Sequence, residues 1–349
     1  MEVLVIYPVT DEAMGQIAAV DPRVNVIDAR GWFDGEIRDT WPPYTVKRYL
    51  GRRQSRPSTR QERDGLLARA EIILGGFPFP LDLRARSPRL KWFHQLPAGA
   101  SNLLRGDLWE SDVIVTTSRG LGNTQSMAEY VLASLLHFAR GLNHANRDQR
   151  QHELDRQRYR PVLLQGKTAG IIGAGGIGQS VARLLGAVGM RVIGIRNREP
   201  WEAPPLPEFS RLEGPGDLLK LLAESDFVVI CCQWTPKTTK LIDREAFKAM
   251  KAGTVLVNVA RGEIIDEDAL VEALATGKLG GVALDVYVGE FEHDPDRRLW
   301  DDERVLITPH VSSRTDQSHH RGVELFCENL RAYLAGRPLV NVIDWKRGY

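Results

Sequence analysis

Three cysteines in 349 residues are too few for a disulfide scaffold. Cys231 and Cys232 are adjacent in an apolar run and Cys327 stands alone, so they form neither an even framework nor a spaced metal pair. Reduced, buried thiols and no metal site are the expectation. Long hydrophobic runs are missing too. The apolar "VLVIYP" at residues 3–8 is too short for a signal segment and lacks a basic flank, and no run reaches membrane-spanning length. A soluble cytoplasmic protein is expected. A surplus of charge is also absent: Lys+Arg 46 against Asp+Glu 45 leaves +1, which removes any global electrostatic reason for binding nucleic acid or an acidic membrane. The expected partner is a small molecule. There is no internal repeat and no low-complexity tract, although "PWEAPPLPEF" at 200–209 is a Pro-rich loop.

What the chain has is alternation. Short β-branched runs at 3–8, 24–29, 71–76, 90–96 and 112–118 are separated by helical patterns, and a second series follows at 168–173, 191–195, 226–232, 253–260, 280–286 and 304–310. Strands alternating with helices predict parallel sheets covered on both faces, and the length predicts two such α/β units. Between the series, Ser126-Met127-Ala128-Glu129 has capping-box spacing, and Met127, Tyr130, Val131, Leu135 and Phe138 recur at helical intervals. A long linking helix starting at Ser126 is predicted.

Residues 31–63 break the pattern, being rich in Arg, Trp and Pro without a clean period. Five arginines between 52 and 63 suit a phosphorylated ligand, but a solvated insertion is the preferred reading. Trp32, Phe33, Trp41 and Tyr44 are expected to cover either an active-site mouth or a partner subunit.

The most informative stretch is "TAGIIGAGGIGQSVARLLGAVGMRVIGIRNR" at 168–198. Gly173, Gly175, Gly176, Ile177 and Gly178 form a GxGxxG turn between a strand and a helix. Gly173 permits the tight turn, Gly175 the approach of a pyrophosphate to backbone N–H groups, and Gly178 close packing of helix on strand. The helix N-terminus adds partial positive charge for the anion. The next strand ends in Arg196-Asn197-Arg198, where an acid would face the ribose hydroxyls of NAD. Arginine offers a donor fork matched to a 2′-phosphate, so NADP(H) is the preferred cofactor and NAD(H) an alternative. Three polar landmarks follow predicted strands, "NVARGEIIDEDAL" 258–270, "GGVALDVYVGE" 280–290 and "ITPHVSS" 307–313, and they offer Arg261, Glu290 and His310.

These landmarks, with "QWTPKTTKLID" at 233–243, resemble the D-2-hydroxyacid dehydrogenase family from about Leu66 onward. The resemblance implies a Rossmann cofactor domain, 120–310, inserted into a discontinuous flavodoxin-like substrate domain, 1–119 plus 311–349. It implies a catalytic triad of Arg261, Glu290 and His310, with Arg261 on the substrate carboxylate and backbone amides of Ala98, Gly99 and Ala100 holding the same group. It also implies softer cofactor contacts at Cys232, Thr238, Ala260 and Asp285, Thr238 being alternatively a turn residue. A homodimer is the family's usual state. Reduction of a 2-oxo acid needs a hydride at the carbonyl carbon and a proton for its oxygen. Histidine is the natural acid near neutral pH, with a carboxylate to orient it and an arginine to bind and polarise the substrate.

Pro97 and Ser101 depart from the family's usual substrate loop, and no lysine lies there to suit phosphite. The chain stops soon after "YLAGRPLVNVI", giving the expectation that a regulatory domain is lacking. Reductases of glyoxylate, hydroxypyruvate or a bulkier 2-oxo acid remain, and the aromatic insertion favours a bulkier or apolar side chain. Dinucleotide-sensing corepressors of the same fold are the alternative class.

Overall fold

The computed structural model describes residues 1–349 apart from 54, 121–123, 198–205, 317 and 349 and the side chains of 318–320. The chain divides into two compact units. One comprises Met1–Gly122, Phe291–His293 and Asp316–Tyr349, the other Asn123–Glu290 and Asp294–Thr315.

The first unit is built on β1 (Glu2–Val5), β2 (Asn25–Asp28), β3 (Ile72–Gly75), β4 (Trp92–Gln95) and β5 (Ile114–Thr117). They form one parallel sheet in the order β2-β1-β3-β4-β5. The central strands are buried along their whole length, as a sheet covered on both faces requires. One face packs on Leu4, Ile73 and Phe93, the other on Val5, Trp92 and Phe326, the last from the helix Ser318–Leu334.

Residues 31–63 are not a solvated insertion. They form the helix Asp34–Thr40, a turn at Pro43–Thr45, a wide π-type turn at Val46–Leu50, and an extended run leading to the helix Arg60–Arg69. Phe33 and Trp41 are core residues, 1% and 4% exposed. Trp41 meets Phe77 and Phe79 edge-on and donates its indole N–H to the Phe79 carbonyl at 2.7 Å. Arg63 pairs with Glu36 at 2.9 Å, Arg60 with Asp82 at 2.8 Å and Arg56 with Asp28 at 3.4 Å, so three of the five arginines serve buried or half-buried acids. The composition was polar because these arginines carry buried or half-buried partners. Free solvation does not explain it.

The second unit carries β6 (Thr168–Ile172), β7 (Arg191–Ile195), β8 (Arg211–Glu213), β9 (Phe227–Ile230), β10 (Thr254–Asn258), β11 (Leu279–Leu284) and β12 (Val305–Ile307). Its seven-stranded parallel sheet runs β12-β11-β10-β9-β6-β7-β8. Chain order reverses between β6 and β9, which is where a doubly wound sheet opens its ligand crevice. β8, three residues long, has no counterpart in the sequence reading.

The helix Thr124–Ala139 starts two residues ahead of the expected cap. Ser126 lies inside it and donates its hydroxyl to the Ser312 carbonyl at 2.7 Å, while Glu129 accepts from Gln125. The capping-box spacing was therefore a coincidence of two residues with other partners. No helix among the described residues is long and apolar enough to cross a membrane, and none of their acids, histidines or cysteines cluster as a metal site.

Candidate functional site

The glycine turn follows β6 at the reversal point. Gly173 has φ +108°, which a side chain resists, and a Cβ there would lie 2.5 Å from the Cys232 nitrogen, where the chain leaves β9. A Cβ at Gly178 would sit 2.1 Å from the Gly173 carbonyl oxygen, so the helix Gly176–Ala187 can approach the strand only without one. At Gly175 the same construction meets nothing within 4 Å. One glycine therefore fits the turn and one the packing, while Gly175 borders open space. The first bond of the helix runs from the Gln179 N–H to the Gly175 carbonyl, 2.9 Å, and the amides of Gly176 and Ile177 lie ahead of it at the helix N-terminus. Backbone donors, a helix dipole and an unfilled space suit the phosphates of a dinucleotide.

Arg196 directly follows β7, its N–H donating to the Glu213 carbonyl of β8 at 3.1 Å, and Asn197 is exposed beside it. Arg198 lies outside the described residues. At the end of β9, burial pushes the Cys232 thiol up to about 12 and Cys231 higher still, so neither is a thiolate at neutral pH.

His310, Glu290, Asp285 and Arg261 lie at the ends of β10, β11 and β12. His310 Nδ1 stands 3.1 and 3.2 Å from the two carboxylate oxygens of Glu290, whose side chain is 1% exposed against 24% for the imidazole. An ionised carboxylate only accepts, so Nδ1 carries the hydrogen, and Nε2 is either the lone-pair nitrogen of the neutral ring or the second donor of the imidazolium. His310 has φ +55°, a strained setting for a side-chain-bearing residue. Its amide donates to the carbonyls of Asp285, 2.9 Å, and Thr308, 3.0 Å, which hold the turn.

Asp285 has a role the sequence did not disclose. Fully buried, it accepts from the Thr308 hydroxyl at 2.6 Å and the Val311 amide at 2.8 Å through Oδ1, and from the Ser312 amide at 2.9 Å through Oδ2. It anchors the loop that carries His310. Because Thr308 gives its single proton to Asp285, the Tyr130 phenol must donate to Thr308 across their 2.7 Å contact. Burial pushes the Tyr130 hydroxyl up to about 12.

Arg261 is half-buried and donates Nη1 at 2.7 Å to the carbonyl of Ala260, one of the residues expected to contact the cofactor. Buried Asn258 fixes this corner, donating Nδ2 to the Arg261 carbonyl and accepting from the Ala260 amide. Gly262 lets the corner touch the next loop, since a Cβ there would meet the Tyr287 carbonyl carbon at 2.0 Å. The neighbouring Glu263 carboxyl is raised above its usual range by burial and by Glu290, against hydrogen bonding from the Gly289 amide and the charge of Arg261.

The family model described as "D-isomer specific 2-hydroxyacid dehydrogenase, NAD binding domain" matches residues 132–312. The chain belongs to that family. It is 34% identical over 276 residues to a (S)-sulfolactate dehydrogenase of Chromohalobacter salexigens, covering 78% of this chain and 87% of that one. It is 32% identical over 273 residues to a D-3-phosphoglycerate dehydrogenase of Methanocaldococcus jannaschii, covering 78% of this chain and 51% of the relative. The chain thus spans about half the length of the phosphoglycerate dehydrogenases it matches. A family member from Xanthobacter autotrophicus Py2, solved with NADPH and MES, superposes with a TM-score of 0.76 at 28% identity over 99% of both chains. Two parallel-sheet α/β units are shared with it, and relatives bearing the family fold are named dehydrogenases and reductases.

Within this family frame, Thr238 serves the turn: its hydroxyl accepts from the Thr235 amide and donates to the Gln233 carbonyl, each at 2.8 Å. Ala98, Gly99 and Ala100 lie in the first unit after β4. Buried Gln95 donates to the carbonyls of Pro97, 3.2 Å, and Gly99, 2.9 Å, fixing their direction in the loop. The other histidine of this region, His94, is fully buried against Thr116, and burial pushes it down to about 3, so it is a neutral core residue. Sequence reasoning missed Asn258, Glu263, Tyr130, Thr308 and Gln95. Their signal is tertiary, apart from the Thr308-Pro309-His310 motif.

Proposed function

We propose that the chain reduces a 2-oxo acid to its D-2-hydroxy acid, with NADPH preferred over NADH. The observation that carries this reading is the His310–Glu290 pair, a partly exposed imidazole whose Nδ1 is committed to a buried carboxylate. The bound nicotinamide supplies a hydride. His310 supplies the proton from Nε2 to the carbonyl oxygen, and Glu290 steadies the imidazolium and its orientation. Arg261 binds the substrate carboxylate and polarises the carbonyl, a bidentate role that a lysine cannot reproduce. Amides of Ala98, Gly99 and Ala100 bind the same carboxylate. In this reading the substrate domain is 1–119 plus 311–349 and the cofactor domain 120–310.

Gly173, Gly175, Gly176, Ile177 and Gly178 hold the pyrophosphate, and Arg196 with Asn197 favours a 2′-phosphate. The relative solved with NADPH supports that preference. Asp285 and the Cys232 carbonyl lie toward the nicotinamide. We further propose a cytoplasmic homodimer, the three free thiols agreeing with a reducing compartment.

The test follows reduced-nicotinamide absorbance with NADPH and NADH in parallel across 2-oxo acids from glyoxylate to phenylpyruvate. Substrate-dependent loss, faster with NADPH, is expected. Binding of both cofactors without turnover would replace the reading by a dinucleotide sensor.

A further inference from the structure

The reductase reading leaves the Arg- and Trp-rich segment 31–63 without a role in the chemistry. In the first unit chain order reverses between β1 and β3, with β2 on one side and β4 and β5 on the other. Ligands of open parallel sheets bind beyond the carboxyl ends of the strands at such a reversal. Here that place is a crevice lined by Tyr7 and Pro8 after β1, Gly76 and Phe77 after β3, and Asp34 and Arg53 from the segment.

Among the described residues, Asp34 and Arg53 are the only charged ones lining it. Asp34 is 3% exposed, and its Oδ2 has no hydrogen-bond partner among the described residues. Burial raises its carboxyl above the usual range, with the charges of Arg53 and Arg38 opposing the rise. Buried polar atoms are nearly always hydrogen-bonded, so a buried carboxyl oxygen without a partner among the described residues, on a side chain that lines this crevice, calls for a ligand to supply one. The crevice has room for a group about the size of a water molecule. A bulky apolar side chain exceeds that room, and of the four aromatics that suggested one, Phe33 and Trp41 are packed into the core while Trp32 and Tyr44 are half-buried. The Ala98–Ala100 loop follows β4, the direct neighbour of β3, so this crevice and the proposed carboxylate loop open on the same edge of one sheet.

We propose that Asp34 determines specificity for the substrate side chain, accepting a hydrogen bond from a hydroxyl on carbon 3 of the 2-oxo acid. Arg53 offers the same hydroxyl a donor. This inference rests on the reductase reading and adds to it the residue that selects among substrates.

The experiment compares kcat/KM for hydroxypyruvate and pyruvate, which differ only by that hydroxyl, with glyoxylate as the control for chemistry. Wild type is expected to prefer hydroxypyruvate over pyruvate by about tenfold or more, the worth of one hydrogen bond to a buried carboxyl. Asp34→Ala is expected to bring the ratio near one, and Asp34→Asn, which keeps an accepting oxygen, to retain most of it. Should Asp34→Ala not fold, Asp34→Leu provides the comparison at similar volume. Glyoxylate turnover without a preference between the other two, or a ratio that survives Asp34→Ala in a protein with a native melting curve, overturns the Asp34 assignment alone. No turnover of any of the three with either cofactor overturns the reductase reading, and the substrate subsite with it.

Discussion

Replacing Asp285 by alanine removes one carboxylate and strands three donors: the Thr308 hydroxyl and the amides of Val311 and Ser312. Hydrogen bonds to a charged acceptor contribute about 1.5–3 kcal/mol each, and a buried donor left without a partner costs about 1–3 kcal/mol. Two of the three are backbone amides of a loop that can shift toward water, so the net loss is about 3–5 kcal/mol rather than the full total. At roughly 2–4 °C per kcal/mol for a domain of this size, the melting temperature falls by about 6–20 °C. The same loss frees His310 from its left-handed backbone setting, whose strain of about 1–3 kcal/mol persists only while the surroundings impose it. Asp285→Asn should fall between, because it keeps one acceptor but turns an N–H toward a donor. Calorimetry at neutral pH and kcat from nicotinamide absorbance measure both effects. An Asp285→Ala protein that melts within about 2 °C of wild type and turns over at the wild-type rate would refute the anchoring argument.

Three further outcomes are expected. His310→Ala should lower kcat by at least about a hundredfold while NADPH binding, followed by fluorescence titration, stays within a few fold; loss of binding would make the residue structural. Arg196→Asp should shift the kcat/KM ratio of NADPH to NADH toward NADH by about tenfold or more, and an unchanged ratio removes the 2′-phosphate assignment. Glu263, with a carboxyl raised in the fold by burial, binds its proton more tightly folded than unfolded, so its ionisation costs stability as pH rises through the folded value. Glu263→Gln keeps an acceptor for the Gly289 amide without the charge. It should therefore raise the melting temperature relative to wild type at pH 8 more than at pH 4, and an equal difference at both would refute the sign.

Much of this arrangement was legible in the sequence where local pattern and tertiary role coincide. β6, the glycine turn and the following helix form a contiguous run whose residues contact one another, so spacing alone exposed them. β8 escaped because Arg-Leu-Glu is too short and too polar to show a period, and it is held as a strand by β7. Phe33 and Trp41 read as cover for a site mouth or a partner because their segment, 31–63, is rich in arginine, whereas in the fold Arg63 and Arg60 of that segment pair with Glu36 and Asp82. The triad residue types were visible, but the anchoring by Asp285 was not. Its partners lie 23 to 27 residues downstream, a separation that carries no periodic signal. Thr238 shows the converse: a motif residue whose hydroxyl is absorbed by its own turn.

The hydroxyl chain behind the histidine loop has a consequence for how the site meets changes in acidity. Tyr130 donates to Thr308 and Thr308 to Asp285, and with the phenol pushed up to about 12 the first link keeps its proton throughout the range in which an imidazole gains and loses one. The polarity of that chain is thus fixed while the group it supports switches. His310 can change its charge without loosening its own mounting.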